Sequence, residues 1–511
     1  MYVDSIWTDS QSGFLGLWAG IGIVSFCTGV YYVLSKKRSF YKEVPVVSLL
    51  TILLVFIGLS LLLGTPIERL KNLSFSPSTD QTTEQKNTSV PAPTALPALE
   101  FGGTDSSKIR LIVWEGALNI FKSNPIFGSG VETFAYSYYQ HRPAAHNLTS
   151  EWDYLYNKAH NEYLNYLATT GILGFGTYML FIGWVIFLFA KSIWIFVFKR
   201  NKKIAEKYNY NNLILSSGLF AGWVGILVSN FFGFSVVIIN LLLFILPLWI
   251  FHLLYKDFSS PEISDNLISM TPQKKTLVVF IGLVLFIFEI ILFRYWLADK
   301  AYGMGNNLNK MGEYVSANQY LIDAVQKRPG EDLFKDELAV NVSTLALVLE
   351  QQGQSTQAAQ FSQQSRFLSD SIIARHPNNV VYWKSRTRIM YSLAQLDPSL
   401  FQEALRSVEK ASQLAPTDAK VLYNKALLYE QAGEREIAMQ TLQQAIQLKP
   451  NYRDALYAKA LIHSEIADAI SATDSARAIG ERNQAKGYLE LILNYLIPTD
   501  TQASELLEKL N

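Results

Sequence analysis

The sequence predicts an all-α fold in two parts, a polytopic α-helical membrane domain followed by an α-solenoid. Two observations carry this. Apolar runs of about 20 residues, the length that crosses a bilayer as a helix, crowd the first part of the chain. The remainder is soluble in character, with helical periodicity punctuated by small-residue breaks. At 511 residues, more than one domain is expected. Hydrophobic residues make up 50% of the chain and are unevenly spread between these parts.

Six apolar runs qualify as spans: Gly13 to Leu34, Pro45 to Leu63, Tyr163 to Ala190, Leu213 to Phe232, Val236 to Tyr255 and Thr276 to Phe293. This gives two transmembrane helices in residues 1–71 and four in 163–296. Residues 72–100 are rich in Ser, Thr, Asn, Gln and Pro, a composition that cannot bury a core and reads as a disordered linker. Residues 101–162 form a polar, aromatic loop, and 297–511 the helical repeats. The Asn-X-Ser/Thr triplets at Asn72, Asn87 and Asn147 are short enough to arise by chance.

Orientation follows from basic residues in the short loops. Lys36, Lys37, Arg38 and Lys42 follow the first span; Lys199, Arg200, Lys202, Lys203 and Lys207 follow the third; Lys256, Lys274 and Lys275 lie between the fifth and sixth. All three loops read as cytoplasmic. The loop 72–162 and everything beyond Phe293 then lie outside the cytoplasm, and so does the N-terminus. The basic residues follow the first run, the wrong side for a cleavable signal. An outside N-terminus is easier to understand if helices precede this chain. The formal net charge of +1 argues against a nucleic-acid partner. The single cysteine, Cys27, excludes a disulfide within the chain.

In the soluble part, Asp418 to Asn451 splits at Gly433 into two helices. Ala426, Tyr429, Gly433, Ala438, Leu442, Ala445 and Pro450 match the spacing of a tetratricopeptide repeat, with Lys425 in place of the usual leucine. A degenerate unit begins near Ala298, and Trp383, Ala404, Ala411 and Pro416 fit a unit with a longer inter-helix turn. Stacked helix pairs leave a concave face. That face reads as a docking surface for a protein or glycan, or as a rigid spacer.

The stretch from Arg110 to Gly174 holds the chemistry. It contains Arg110, an Asn124-Pro125 turn, the Gly128-Ser129-Gly130 pinch, a run of tyrosines and tryptophans, and His160-Asn161 just before a membrane-length helix. An imidazole at a helix start is disfavoured as imidazolium by the helix dipole, and neutral imidazole is the form a general base needs. The competing reading of His160 is a cap or interface anchor. Arg110 offers a forked guanidinium suited to phosphate oxygens, or it snorkels at the interface. Arg142 and Lys158 add positive charge, with solvated surface as the alternative. Asn161 orients His160, binds an acceptor, or caps the helix. The glycine pinch reads as a turn rather than a phosphate cradle. The tyrosines suit sugar stacking or an interfacial belt.

Together, R-x-x-x-W-x-x-A-L from Arg110, N-P-I-F-G-S-G-V-x-x-F from Asn124 and H-N-E-Y-L-x-x-L-A-T-T-G-I-L-G from His160 resemble the O-antigen ligase and Wzy-type polymerase family, over roughly Ser10 to Phe251. Thr8, Ser10 and Gly13 also resemble a family motif, with Gln11 where arginine is frequent. The resemblance implies a glycosyltransferase of the bacterial plasma membrane. It moves a glycan from undecaprenyl diphosphate to an acceptor hydroxyl on a glycan, lipid or protein, on the periplasmic or extracellular side. No cofactor, nucleotide sugar or metal is implied. It implies catalytic roles for His160 and Arg110 and substrate contacts for Asn161, Arg142 and Lys158. Family members carry about ten or more membrane helices against the six found here. The rival expectations are therefore a non-catalytic membrane scaffold with a docking domain, or an N-terminally truncated, inactive member.

Overall fold

The computed structural model describes residues 11–34, 103–198, 210–255 and 272–511. Among them all regular structure is helical, as expected. The first elements are α1 (Gln11–Leu34), α2 (Ser106–Ser123), α3 (Phe134–His141), α4 (Glu162–Phe198), α5 (Tyr210–Phe231), α6 (Val237–Tyr255) and α7 (Pro272–Lys310). Among the described residues, four helices are long and apolar enough to cross a membrane: α4, α5, α6 and α7. They coincide with the third to sixth predicted spans. α1 covers the first, with an apolar stretch at Leu15–Cys27. The second span, the linker and the three basic stretches fall wholly or largely outside the described residues.

The chain divides into two compact units. One comprises Met1–Pro91, Val113–Ala135 and Tyr156–Asn266; the other comprises Ala92–Ile112, Tyr136–Leu155 and Leu267–Asn511. The membrane unit has its core where Tyr178, Ile182, Val185 and Phe189 of α4 meet Leu213, Phe220, Trp223 and Leu227 of α5 and Leu243, Ile250 and Leu254 of α6. Lipid supplies no hydrophobic drive between such helices, so close packing and internal hydrogen bonds hold them. Trp223 accordingly donates its indole N–H to the Leu243 carbonyl at 2.9 Å. α1 and α5 approach at small residues, so that a Cβ on Gly16 would lie 2.7 Å from the Gly225 oxygen.

The second unit continues as α8 (Tyr314–Lys327), α9 (Asp332–Gln351), α10 (Ser355–Arg375), α11 (Val380–Leu393), α12 (Phe401–Leu414), α13 (Ala419–Gln431), α14 (Arg435–Leu448), α15 (Arg453–Ile470), α16 (Ser475–Leu491) and α17 (Thr501–Leu510). Each successive pair forms a helical hairpin, with the C-terminal turns of α7 against α8, then α9 with α10, α11 with α12, α13 with α14, and α15 with α16. The repeat predicted at Asp418 to Asn451 is the α13–α14 hairpin, with Ala426, Ala438, Leu442 and Ala445 buried between its helices. The longer turn predicted before Ala404 is a 3-10 segment at Pro398–Leu400.

The described residues depart from the sequence segmentation in two places. The sixth span and the first repeat helix are one 39-residue helix, α7, because no proline or helix-breaking turn separates them. Residues 136–155 also pack as part of the repeat unit rather than standing as a free loop. Tyr139 is buried among Val380, Ala411, Ala415 and Val421. Asn147 is fully buried with its side chain hydrogen-bonded, which closes the Asn147-Leu148-Thr149 triplet to modification in the folded chain.

Candidate active site

The site is built on a broken helix. Within α4, Gly171 has φ +62° and ψ −166°, which separates Glu162–Thr170 from the span that follows. An α-helix bonds each N–H to the carbonyl four residues earlier, so this break frees the N–H groups of Ile172 and Leu173 and the carbonyls of Ala168 and Thr169. The Asn-Pro-Ile-Phe-Gly-Ser-Gly stretch takes up all four. Ser129 and Gly130 donate to the Ala168 and Thr169 carbonyls at 3.0 and 2.9 Å. Ile172 and Leu173 donate to the Pro125 and Ile126 carbonyls at 2.8 and 3.3 Å. Irregular backbone in a membrane helix survives only where such partners exist.

Glycine is required on both sides of this contact. A Cβ on Gly128 would sit 2.3 Å from the Thr169 carbonyl carbon, and one on Gly171 2.4 Å from that of Ile126. The Ser129 and Gly130 N–H groups are therefore engaged with α4, so the pinch is a structural turn.

At the head of α4, His160 has a left-handed backbone, φ +52°. Its half-buried ring meets Tyr156 and Phe234 edge-on, at centroid distances of 5.6 and 5.3 Å. Such edge-to-face contacts fix a ring's orientation. Asn161 caps the helix: its Oδ1 accepts from the Leu164 N–H at 3.0 Å, and the residue is 2% exposed. Lys158 pairs with Glu132 at 2.5 Å, a partner distant in sequence that no local signal marks. Glu162 is buried in the first turn of α4 and is a further ionisable group beside His160-Asn161. Its place directly after His160-Asn161, where a helix favours an acidic group, is its signal in the sequence.

The remaining candidates belong to the other unit. Arg110 is half-buried on the first turns of α2. Arg142 is 4% exposed and directs its guanidinium at protein atoms. Its Nη1 donates to the Trp152 carbonyl at 3.0 Å, and its Nη2 to Asn147 Oδ1 at 2.8 Å and the Thr417 carbonyl at 3.1 Å. Among the described residues no group of three or more His, Cys, Asp or Glu is placed to hold a metal ion.

Residues 3–179 match the family model described as O-antigen ligase, a stretch that contains the glycine contact, His160 and Arg110. A Haemophilus influenzae protein described as uncharacterized is 28% identical over 193 residues, which is 37% of this chain and 42% of that protein. The chain thus spans less than half the length of this curated relative. Solved structures similar to the chain include TTC0263, a thermophilic TPR protein of Thermus thermophilus (17% identity, TM-score 0.29, 42% of this chain and 98% of that one). PilF of Pseudomonas aeruginosa is similar at 17% identity and TM-score 0.27, over 42% of this chain and 99% of that one. TM-scores this low do not by themselves establish a shared fold, and the repeat architecture rests on the order and pairing of the helices above. Among the described residues the chain thus combines four helices long and apolar enough to cross a membrane, a stretch similar to the O-antigen ligase model over residues 3–179, and a helical-repeat unit.

Proposed function

We propose that the chain transfers a glycan from a polyprenyl diphosphate, undecaprenyl diphosphate in a bacterial plasma membrane, to an acceptor hydroxyl on the outer side of that membrane. The observation that carries this reading is the O-antigen ligase match over residues 3–179, which includes His160 at the head of the broken helix α4. The acceptor oxygen attacks the anomeric carbon, and the bond from that carbon to the diphosphate oxygen breaks. His160 takes the acceptor proton as general base. Neutral imidazole is the form this requires, and Tyr156 and Phe234 hold the ring edge-on. Arg110 stabilises the departing diphosphate through its forked donors, and Lys158, two residues before His160, adds charge once it exchanges Glu132 for the diphosphate. Asn161 holds the first turn of α4 and thereby His160 beside it. Arg142 has no substrate role in this reading, because its donors face Trp152, Asn147 and Thr417.

The test is transfer from a labelled lipid-linked glycan by the full chain in membranes. General-base catalysis contributes roughly a hundred- to ten-thousand-fold, so His160→Ala is expected to lose about that much rate while retaining donor binding. Arg110→Lys is expected to slow turnover less than Arg110→Ala, since it keeps charge but loses the fork. An unchanged rate for His160→Ala, at normal abundance and insertion, places the base elsewhere.

A further inference from the structure

A solenoid of helical hairpins ordinarily offers its surface to a separate partner. In this chain part of that surface is already occupied by residues 136–155, which lie between two stretches of the membrane unit in sequence. The contacts run along the turns that join successive repeats. At the α12–α13 turn, the Thr417 carbonyl accepts from Arg142 at 3.1 Å and from Asn147 Nδ2 at 2.8 Å. In return, the Thr417 hydroxyl donates to the Arg142 carbonyl at 2.9 Å. At the next turn, α14–α15, Lys449 donates to the Asn147 carbonyl at 2.8 Å, and its ammonium stands 4.6 Å from the centre of the Trp152 ring. Trp152 meets Tyr452 edge-on at 5.2 Å.

These are buried hydrogen bonds that run in both directions between the segment and the repeats. Arg142, Asn147 and Lys449 are all buried, and buried polar groups persist where they are hydrogen-bonded. A loop that merely rested on the repeats would leave its polar groups in water. The contacts also span two consecutive turns, so the segment is held in both position and direction.

Building on the transfer reading above, we propose that the repeat array acts in cis: Arg142, Asn147, Thr417 and Lys449 form a clasp that positions residues 136–155, and through the continuous chain the outer loop leading to His160. These four are positioning residues. The array is then an integral part of the transferase rather than a removable docking module, and a partner that engaged these two turns would compete with the chain's own segment.

The test uses the full chain in nanodiscs, with hydrogen exchange and transfer kinetics measured on the same preparations. Removing one partner of a buried charged hydrogen bond is expected to raise exchange within 136–155 about tenfold or more. Asn147→Ala and Lys449→Met should both show this, with α13 and α14 amides unchanged. Misplacement of a catalytic loop can cost up to about a hundred-fold in rate, so the turnover number should fall at least about tenfold. The KM for the lipid-linked donor should stay within about twofold, since donor contacts are left in place. Lys449→Arg, which keeps a cationic donor, should stay near wild type in both readouts. Unchanged exchange in 136–155 overturns the clasp. Raised exchange with unchanged turnover overturns its positioning role. If exchange rises as expected but the wild-type chain transfers no glycan, the transfer reading falls and the clasp stands.

Discussion

Gly171→Ala is expected to open the contact between the glycine loop and α4. Gly171 combines φ +62° with ψ −166°, a region essentially confined to glycine, where other residues pay about 1–3 kcal/mol. The new Cβ would stand 2.4 Å from both the carbon and the oxygen of the Ile126 carbonyl and 2.6 Å from the Gly128 nitrogen, all of them backbone atoms. The loop must therefore withdraw, losing at least the 2.8 Å and 3.3 Å bonds from Ile172 and Leu173. At about 1 kcal/mol net for each bond, the total cost is about 3–5 kcal/mol. With 1.4 kcal/mol per factor of ten, local opening becomes roughly a hundred- to several-thousand-fold more frequent. Hydrogen exchange of the Ser129, Gly130, Ile172 and Leu173 amides in nanodiscs reads this directly. Gly176→Ala is the control: it lies on the same helix, and a Cβ there meets nothing within 4 Å. Equal exchange in the two variants would refute the assignment of Gly171 to this contact.

Two buried titrating groups in the repeat unit act in opposite directions over one pH range. Burial, then the charge of Arg142, lowers His146 to about 4, so between about 4 and 6.5 the unfolded chain binds the extra proton and stability rises with pH by up to about 3 kcal/mol. Burial raises Asp336 to about 7 despite the Ser385 hydrogen bond, so between about 4 and 7 the folded chain holds the extra proton and stability falls with pH by up to about 4 kcal/mol. Denaturation of Asp336→Asn is therefore expected to show stability climbing with pH more steeply than wild type, and His146→Gln the reverse; parallel curves for all three would refute both. Asn161→Ala removes the cap on Leu164 and should cost about 1 kcal/mol in thermal unfolding, whatever its effect on transfer. In a Cys27→Ala background, Gln352→Cys in the α9–α10 turn is expected to react with a membrane-impermeant label in intact cells, and reaction only after lysis would reverse the proposed orientation. Deleting α13 to α17 removes Thr417's neighbours and Lys449 together, so it is expected to raise protease sensitivity within 136–155; unchanged cleavage there would count against the clasp.

Much of the fold was legible because local signals agreed with the final environment. A bilayer demands long apolar helices, and α4 to α7 advertise themselves by length and composition. The repeat at α13–α14 was legible because small residues and Gly433 recur at the spacing that two packed helices impose. The aromatic setting of His160 was only half legible: Tyr156 is near in sequence, but Phe234 lies beyond the end of α5 and arrives by packing. Arg142 shows the limit most plainly. In the sequence it is a cation in a polar loop, with nothing nearby to say that it will be buried against Thr417.

By itself, the sequence determined which segments are helical, which are apolar enough for lipid, where the repeats break and which stretch holds the polar and aromatic chemistry. Each of these depends on interactions within a turn or two of helix, or on the match between a segment and its solvent. Only the tertiary structure decided that the loop at Asn124–Gly130 would complete the hydrogen bonds interrupted at Gly171, and that residues 136–155 would fold with repeats hundreds of residues later. The physical reason is the same in both cases. A buried backbone group or charge must find a partner, but that requirement does not specify where along the chain the partner lies.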